Sequence, residues 1–116
     1  MHTNAVAPGA GSDEILVVLT SLPDRDSAQK LARLLVEQRL AACVNVLDGC
    51  TSVYRWQDAI ETVREVPVMI KTRRERFPGL QDAILAAHPY DVPEIVALTV
   101  HDGLPAYLGW VLAETT

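Results

Sequence analysis

Leu40-Ala41-Ala42-Cys43-Val44-Asn45-Val46 is where this chain changes its hydrophobic period. Upstream, Ala28, Leu31, Ala32 and Leu35 recur at helical spacing, and Val36 and Leu40 extend the stripe. Downstream, Cys43 to Tyr54 reads as one long extended segment, with Asp48-Gly49 making a bulge or bend inside it. A second handover of the same kind is His88-Pro89-Tyr90-Asp91-Val92-Pro93-Glu94. It links a helix carrying Phe77, Leu80, Ile84 and Ala87 to a strand over 94–100. Both handovers set groups that can bind a metal or small ligand into apolar surroundings: Cys43, Asn45, His88, Tyr90 and Glu94.

The rest of the order follows outward from these two points. Ile15 to Leu19 is a short buried strand, and Leu22-Pro23-Asp24 is a turn. Asp24, or Asp26 with Gln29 three residues on, can cap the first helix. Trp56 to Ile60 reads as a hairpin connection and Thr62 to Thr72 as a second long strand. Pro67 cannot donate to a ladder, which places it at an edge or a bulge. Pro78 suits the first turn of the second helix, and Ala106 to Ala113 forms a last short one. The pattern is β-α-β-β-α-β plus a C-terminal helix, an α+β fold of the ferredoxin-like, split βαβ type. Residues 1–12 read as a disordered tail without function, followed by a single domain over 13–116.

Composition narrows the function classes. The chain has 116 residues and is 49% hydrophobic but only 5% aromatic, so its core is aliphatic. A net charge of -5 argues against nucleic acid, whose phosphates reward basic surfaces. An RNA-binding domain of this strand order would also need exposed sheet aromatics. Two cysteines, Cys43 and Cys50, make no disulfide framework and no Cys-x-x-Cys motif. The N-terminal stretch lacks the basic and apolar regions of a signal peptide. No segment has the length of a membrane span, so a cytoplasmic location is expected. No phosphate loop, nucleophile elbow or readable nucleophile–base pair is present, which argues against an enzyme.

An oligomer is expected. Both long helices of such a fold lie on one face of the sheet, and a half-covered sheet should alternate apolar with polar residues. Ile15-Leu16-Val17-Val18-Leu19 and Ile95-Val96-Ala97-Leu98 are apolar on both faces. Partner subunits are the natural cover for the other face.

Each candidate site residue has two readings. Cys43 is a soft ligand for copper, or a small core hydrophobe. His88 is an imidazole ligand, or a residue that ends its helix before Pro89. Tyr54 and Trp56 share a strand face and form a cleft wall, or simply pack across strands. Glu65 and Lys71 point to one face of their strand but stand roughly 20 Å apart at about 3.3 Å per residue. Each is therefore expected to meet Tyr90, Trp56 or His88 of a neighbouring chain.

The two handover segments, with Tyr54-Arg55-Trp56, Glu65 and Met69-Ile70-Lys71-Thr72 between them, resemble the CutA family of divalent cation tolerance proteins over roughly residues 14 to 113. The resemblance implies a homotrimer with its sheets packed inside, similar to the PII signal proteins. It implies binding of copper or other divalent metal ions and a role in metal-ion response, with no organic cofactor. Cys43, His88 and Glu94 then stand as metal-ligand candidates, and Tyr54, Trp56, Glu65, Lys71 and Tyr90 as a ligand cleft. The alternative is a PII-like small-ligand or signalling scaffold without a metal role. Asp58 departs from the family, which carries glycine there, so the hairpin turn is expected to differ.

Overall fold

The computed structural model describes residues 13–116; the tail read over 1–12 lies outside them. Its elements are β1 (Ile15–Leu22), α1 (Arg25–Glu37), β2 (Cys43–Val46), β3 (Cys50–Trp56), β4 (Ala59–Arg73), α2 (Phe77–Ala87), β5 (Val96–Thr99) and α3 (Pro105–Glu114). All pairings are antiparallel, in the order β2–β4–β1–β5, with β3 beside the first half of β4. The protein is thus a mixed α/β fold on one antiparallel sheet. Among the described residues, no helix is long and apolar enough to cross a membrane.

The core lies between one sheet face and the helices α1 and α2. Leu16, Val18 and Leu22 of β1 and Val66, Val68 and Ile70 of β4 point at Ala28, Leu31 and Leu35 of α1 and Leu80 and Ile84 of α2. Each fully buried Leu or Ile contributes about 1.5–3 kcal/mol relative to exposure. Asp24 caps α1: its carboxylate accepts the Ser27 amide at 2.8 Å. Arg39, at φ 58°, ends α1 in the left-handed region, and the Leu40 amide returns to the Leu35 carbonyl at 2.9 Å. The Thr72 hydroxyl then donates to the Leu40 carbonyl at 2.8 Å, and the Ala42 amide to the Lys71 carbonyl at 2.9 Å. These bonds lay Leu40–Val46 against β4.

The long segment expected from Cys43 to Tyr54 is two strands. β2 pairs Val46 with Val68 and β3 pairs Cys50 with Glu65, so Leu47, Asp48 and Gly49 oppose Val66 and Pro67. That extra residue is a bulge, and it changes which side chains share a face. Cys43 and Asn45 lie on the face of Met69 and Lys71; beyond the bulge, Ser52, Tyr54 and Trp56 take that face. Pro67 is not on an edge strand, since β1 flanks it on one side. The Leu47 amide donates to its carbonyl at 3.0 Å, so its donor-less nitrogen faces the bulge, the one place that needs no donor. The last strand is also shorter than expected: residues 94, 95 and 100 remain outside it.

The second sheet face carries Val17 and Leu19 of β1 opposite Leu98 and Val96 of β5. Helix α3 covers only one end of this face, where Ile15, Ala42 and Val111 are buried together. Val96 and Leu98 are left 45% and 50% exposed, so about half of each finds no cover within one chain. Helix α3 has no basic residue in its own last turn. Arg73 instead donates to the Leu112 carbonyl at 2.7 Å and Arg76 to the Thr115 carbonyl at 2.8 Å, placing positive charge at the negative end of the helix.

Candidate functional site

The β3–β4 hairpin and the loop between α2 and β5 enclose a pocket of about 580 Å³. The bulge at 47–49 turns Tyr54 and Trp56 onto the face of Glu65. The stop at His88-Pro89 sends the chain back across that face and brings in Tyr90, Asp91 and Glu94. Four of the five residues read as a ligand cleft, Tyr54, Trp56, Glu65 and Tyr90, therefore line one pocket together with Glu94. Glu65 is set beside Tyr90 of its own chain. The reason is tertiary: the 88–95 loop folds over β4, and no local pattern encodes that.

The hydroxyl of Tyr90 is held above its ordinary range. Partial burial is the largest cause, followed by the Glu65 carboxylate, which repels phenolate and accepts the phenol's hydrogen bond. The ring itself is set against the His88 imidazole, with centroids 4.6 Å apart. His88 is half-buried and lies behind the pocket wall. Its Nε2 donates to the Ser21 carbonyl at 2.5 Å, and its Nδ1 accepts the Tyr90 amide at 3.3 Å. A neutral imidazole protonated at Nε2 satisfies both bonds and keeps no free lone pair.

Lys71 is elsewhere on the same sheet face. Its Nζ donates to the Asn45 side-chain oxygen, and across the register it faces Cys43. The Cys43 thiol lies against Tyr107 of α3, whose hydroxyl is pushed up by burial first and by Cys43 second. Cys43 is half-buried and, like Cys50, a free thiol. Cys43, His88 and Glu94 are thus not brought together. Among the described residues no three His, Cys, Asp or Glu side chains are grouped so that they could hold a metal ion. The described donors of one chain do not by themselves fit a metal centre.

Two contributors escaped the sequence reading. Asp91 stands inside the quoted His88–Glu94 segment, and its carboxyl type was the available signal. Tyr107 falls within the last helix expected over 106–113, and nothing local ties it to Cys43.

Residues 16–114 match the family model described as CutA1 divalent ion tolerance protein. The divalent-cation tolerance protein CutA of Thermus thermophilus is 46% identical over 99 residues, covering 85% of this chain and 96% of that one. The human protein CutA is 42% identical over 101 residues, 87% of this chain but only 56% of the human one. A solved structure of the divalent cation tolerance protein from Thermus thermophilus superposes with a TM-score of 0.86 at 44% identity, covering 88% of this chain and 99% of that one. The two Thermus thermophilus matches are named for divalent cation tolerance. On these grounds the chain belongs to the CutA1 divalent ion tolerance family.

Proposed function

We propose that this chain is a non-enzymatic divalent-cation tolerance protein that works as a homotrimer and binds copper or other divalent metal ions through donors from more than one subunit. The observation that carries the proposal is the apolar sheet face formed by Val17, Leu19, Val96 and Leu98, half of it exposed in a single chain. A second copy is the natural cover for such a face. The strand order and the β1–α1–β2 and β4–α2–β5 units support the ferredoxin-like reading, and the uncovered face supports PII-like packing of sheets. The number three rests on the family. Because one chain groups no three metal donors among its described residues, a tight site needs symmetry-related copies. Cys43 is the favoured thiol, since it lies on the same sheet face as Val17, across from Lys71. Two free cysteines accord with a reducing compartment, and the cytoplasm is the proposed location.

Copper titration of the wild type and of Cys43→Ser tests the metal role. Loss of the tight site in the variant supports it; equal affinity and stoichiometry in both would remove Cys43 from it.

A second reading, a small-ligand scaffold, is favoured by one observation. The pocket around Tyr54, Trp56, Glu65 and Tyr90 has the volume and mixed lining of a small-molecule site.

A further inference from the structure

The half-uncovered sheet face carries opposite charges at its two ends. Along β4 the side chains on that face run Glu65, Pro67, Met69 and Lys71. Val17 stands opposite Lys71 and Leu19 opposite Met69, with Leu98 and Val96 beyond them on β5. The face is therefore apolar in the middle, anionic towards the hairpin and cationic towards α3. Asp91 and Glu94, near Glu65, deepen the anionic end.

Neither charge has a counter-ion in its own chain. Lys71 and Glu65 are both half-buried, and neither enters an ion pair among the described residues. Lys71 donates to the neutral side chain of Asn45, and Glu65 accepts from the Tyr90 hydroxyl. Six residues of strand at about 3.3 Å each hold the two roughly 20 Å apart, beyond the reach of their side chains. A second copy laid over Val17, Leu19, Val96 and Leu98 takes both ends further out of water. A charge desolvated without a partner is costly, so each end must find its opposite on another copy.

From this charge layout we propose that copies of the chain dock head to tail, the Lys71 ammonium of one on the Glu65 carboxylate of the next. The proposal rests on the homotrimer reading and names the contact that sets its register. Such a contact joins two different patches, so every copy gives one lysine and receives one, and a ring closes without a free end. The Tyr54 and Tyr90 rings beside Glu65 offer their faces to the arriving ammonium.

Sedimentation equilibrium of the full chain over a dilution series tests it, with circular dichroism to confirm that each variant is folded. Lys71→Glu sets acid against acid, and Glu65→Lys sets base against base. Each is expected to weaken assembly by about tenfold or more. The double variant restores the pair in reverse and should assemble within about threefold of the wild type. Lys30→Glu, a reversal on the exposed surface of α1, should change nothing. If a reversal variant does not fold, Lys71→Gln and Glu65→Gln replace it, and the chain carrying both should assemble no worse than the weaker single variant. Undiminished trimers in both single variants would overturn the proposal. So would losses that simply add in the double variant. Either result leaves the homotrimer reading standing, whereas a monomeric wild type removes that reading and this contact with it.

Discussion

The imidazole of His88 ties the end of α2 to β1: Nε2 donates to the Ser21 carbonyl at 2.5 Å. Its Nδ1 takes the Tyr90 amide, so one ring holds the last turn of the helix, the sheet and the returning loop. Removing it leaves the half-buried Ser21 carbonyl without this donor. His88→Ala is expected to cost about 1–3 kcal/mol, the penalty of an unmade buried bond. Urea unfolding should show a lower midpoint with an unchanged slope, and Tyr90 should lose its fixed orientation in near-ultraviolet circular dichroism.

Arg73 should matter to α3 more than its surface ion pair with Glu75 suggests. Its guanidinium reaches the Leu112 carbonyl and the Thr115 hydroxyl, and its side chain is only 13% exposed. Arg73→Leu removes charge-assisted bonds at a helix C-terminus, and a loss of about 1.5–3 kcal/mol is expected. Hydrogen exchange should locate the loss in 105–114 first.

The hairpin turn stores a small strain. Gln57 and Asp58 have φ values of 49° and 67°, the left-handed pair that a tight two-residue hairpin turn requires. The family's glycine would adopt this conformation freely, and the aspartate adopts it at a cost. Asp58→Gly should therefore raise stability by about 0.5–1 kcal/mol, read as a higher urea midpoint.

Tyr90 gives the pocket a signature in alkali. Its folded-state hydroxyl titrates above its unfolded value because burial and Glu65 disfavour phenolate. Its contribution to stability is then fully present below the unfolded value and is lost as pH rises through the folded one. Ultraviolet titration should show a late Tyr90 phenolate that shifts back towards ordinary behaviour in Glu65→Gln. A titration curve unaltered by that substitution would separate Tyr90 from Glu65.

Much of this architecture was readable because its signals are local. The stripe Ala28, Leu31 and Leu35, the Asp24 cap and the Pro78 helix start are each decided within a few residues, and all stand in the structure. The break at 47–49 was visible as Asp48-Gly49. Its consequence, the change of face that joins Tyr54 and Trp56 to Glu65, depends on counting against β4 and was not visible. Pro67 was read as an edge or bulge residue, and only pairing could choose the bulge. The pocket's composition was legible residue by residue. That Tyr90 closes on Glu65 in the same chain is set by the path of the 88–95 loop, a tertiary property.

Native mass spectrometry of the full chain with and without added copper or zinc tests the central claim most directly, because it reports subunit number and bound metal in one spectrum. The expected result is a complex of three chains that retains metal ions, with no metal kept by any dissociated single chain. A folded monomer, or a trimer that retains neither copper nor zinc, would contradict the account.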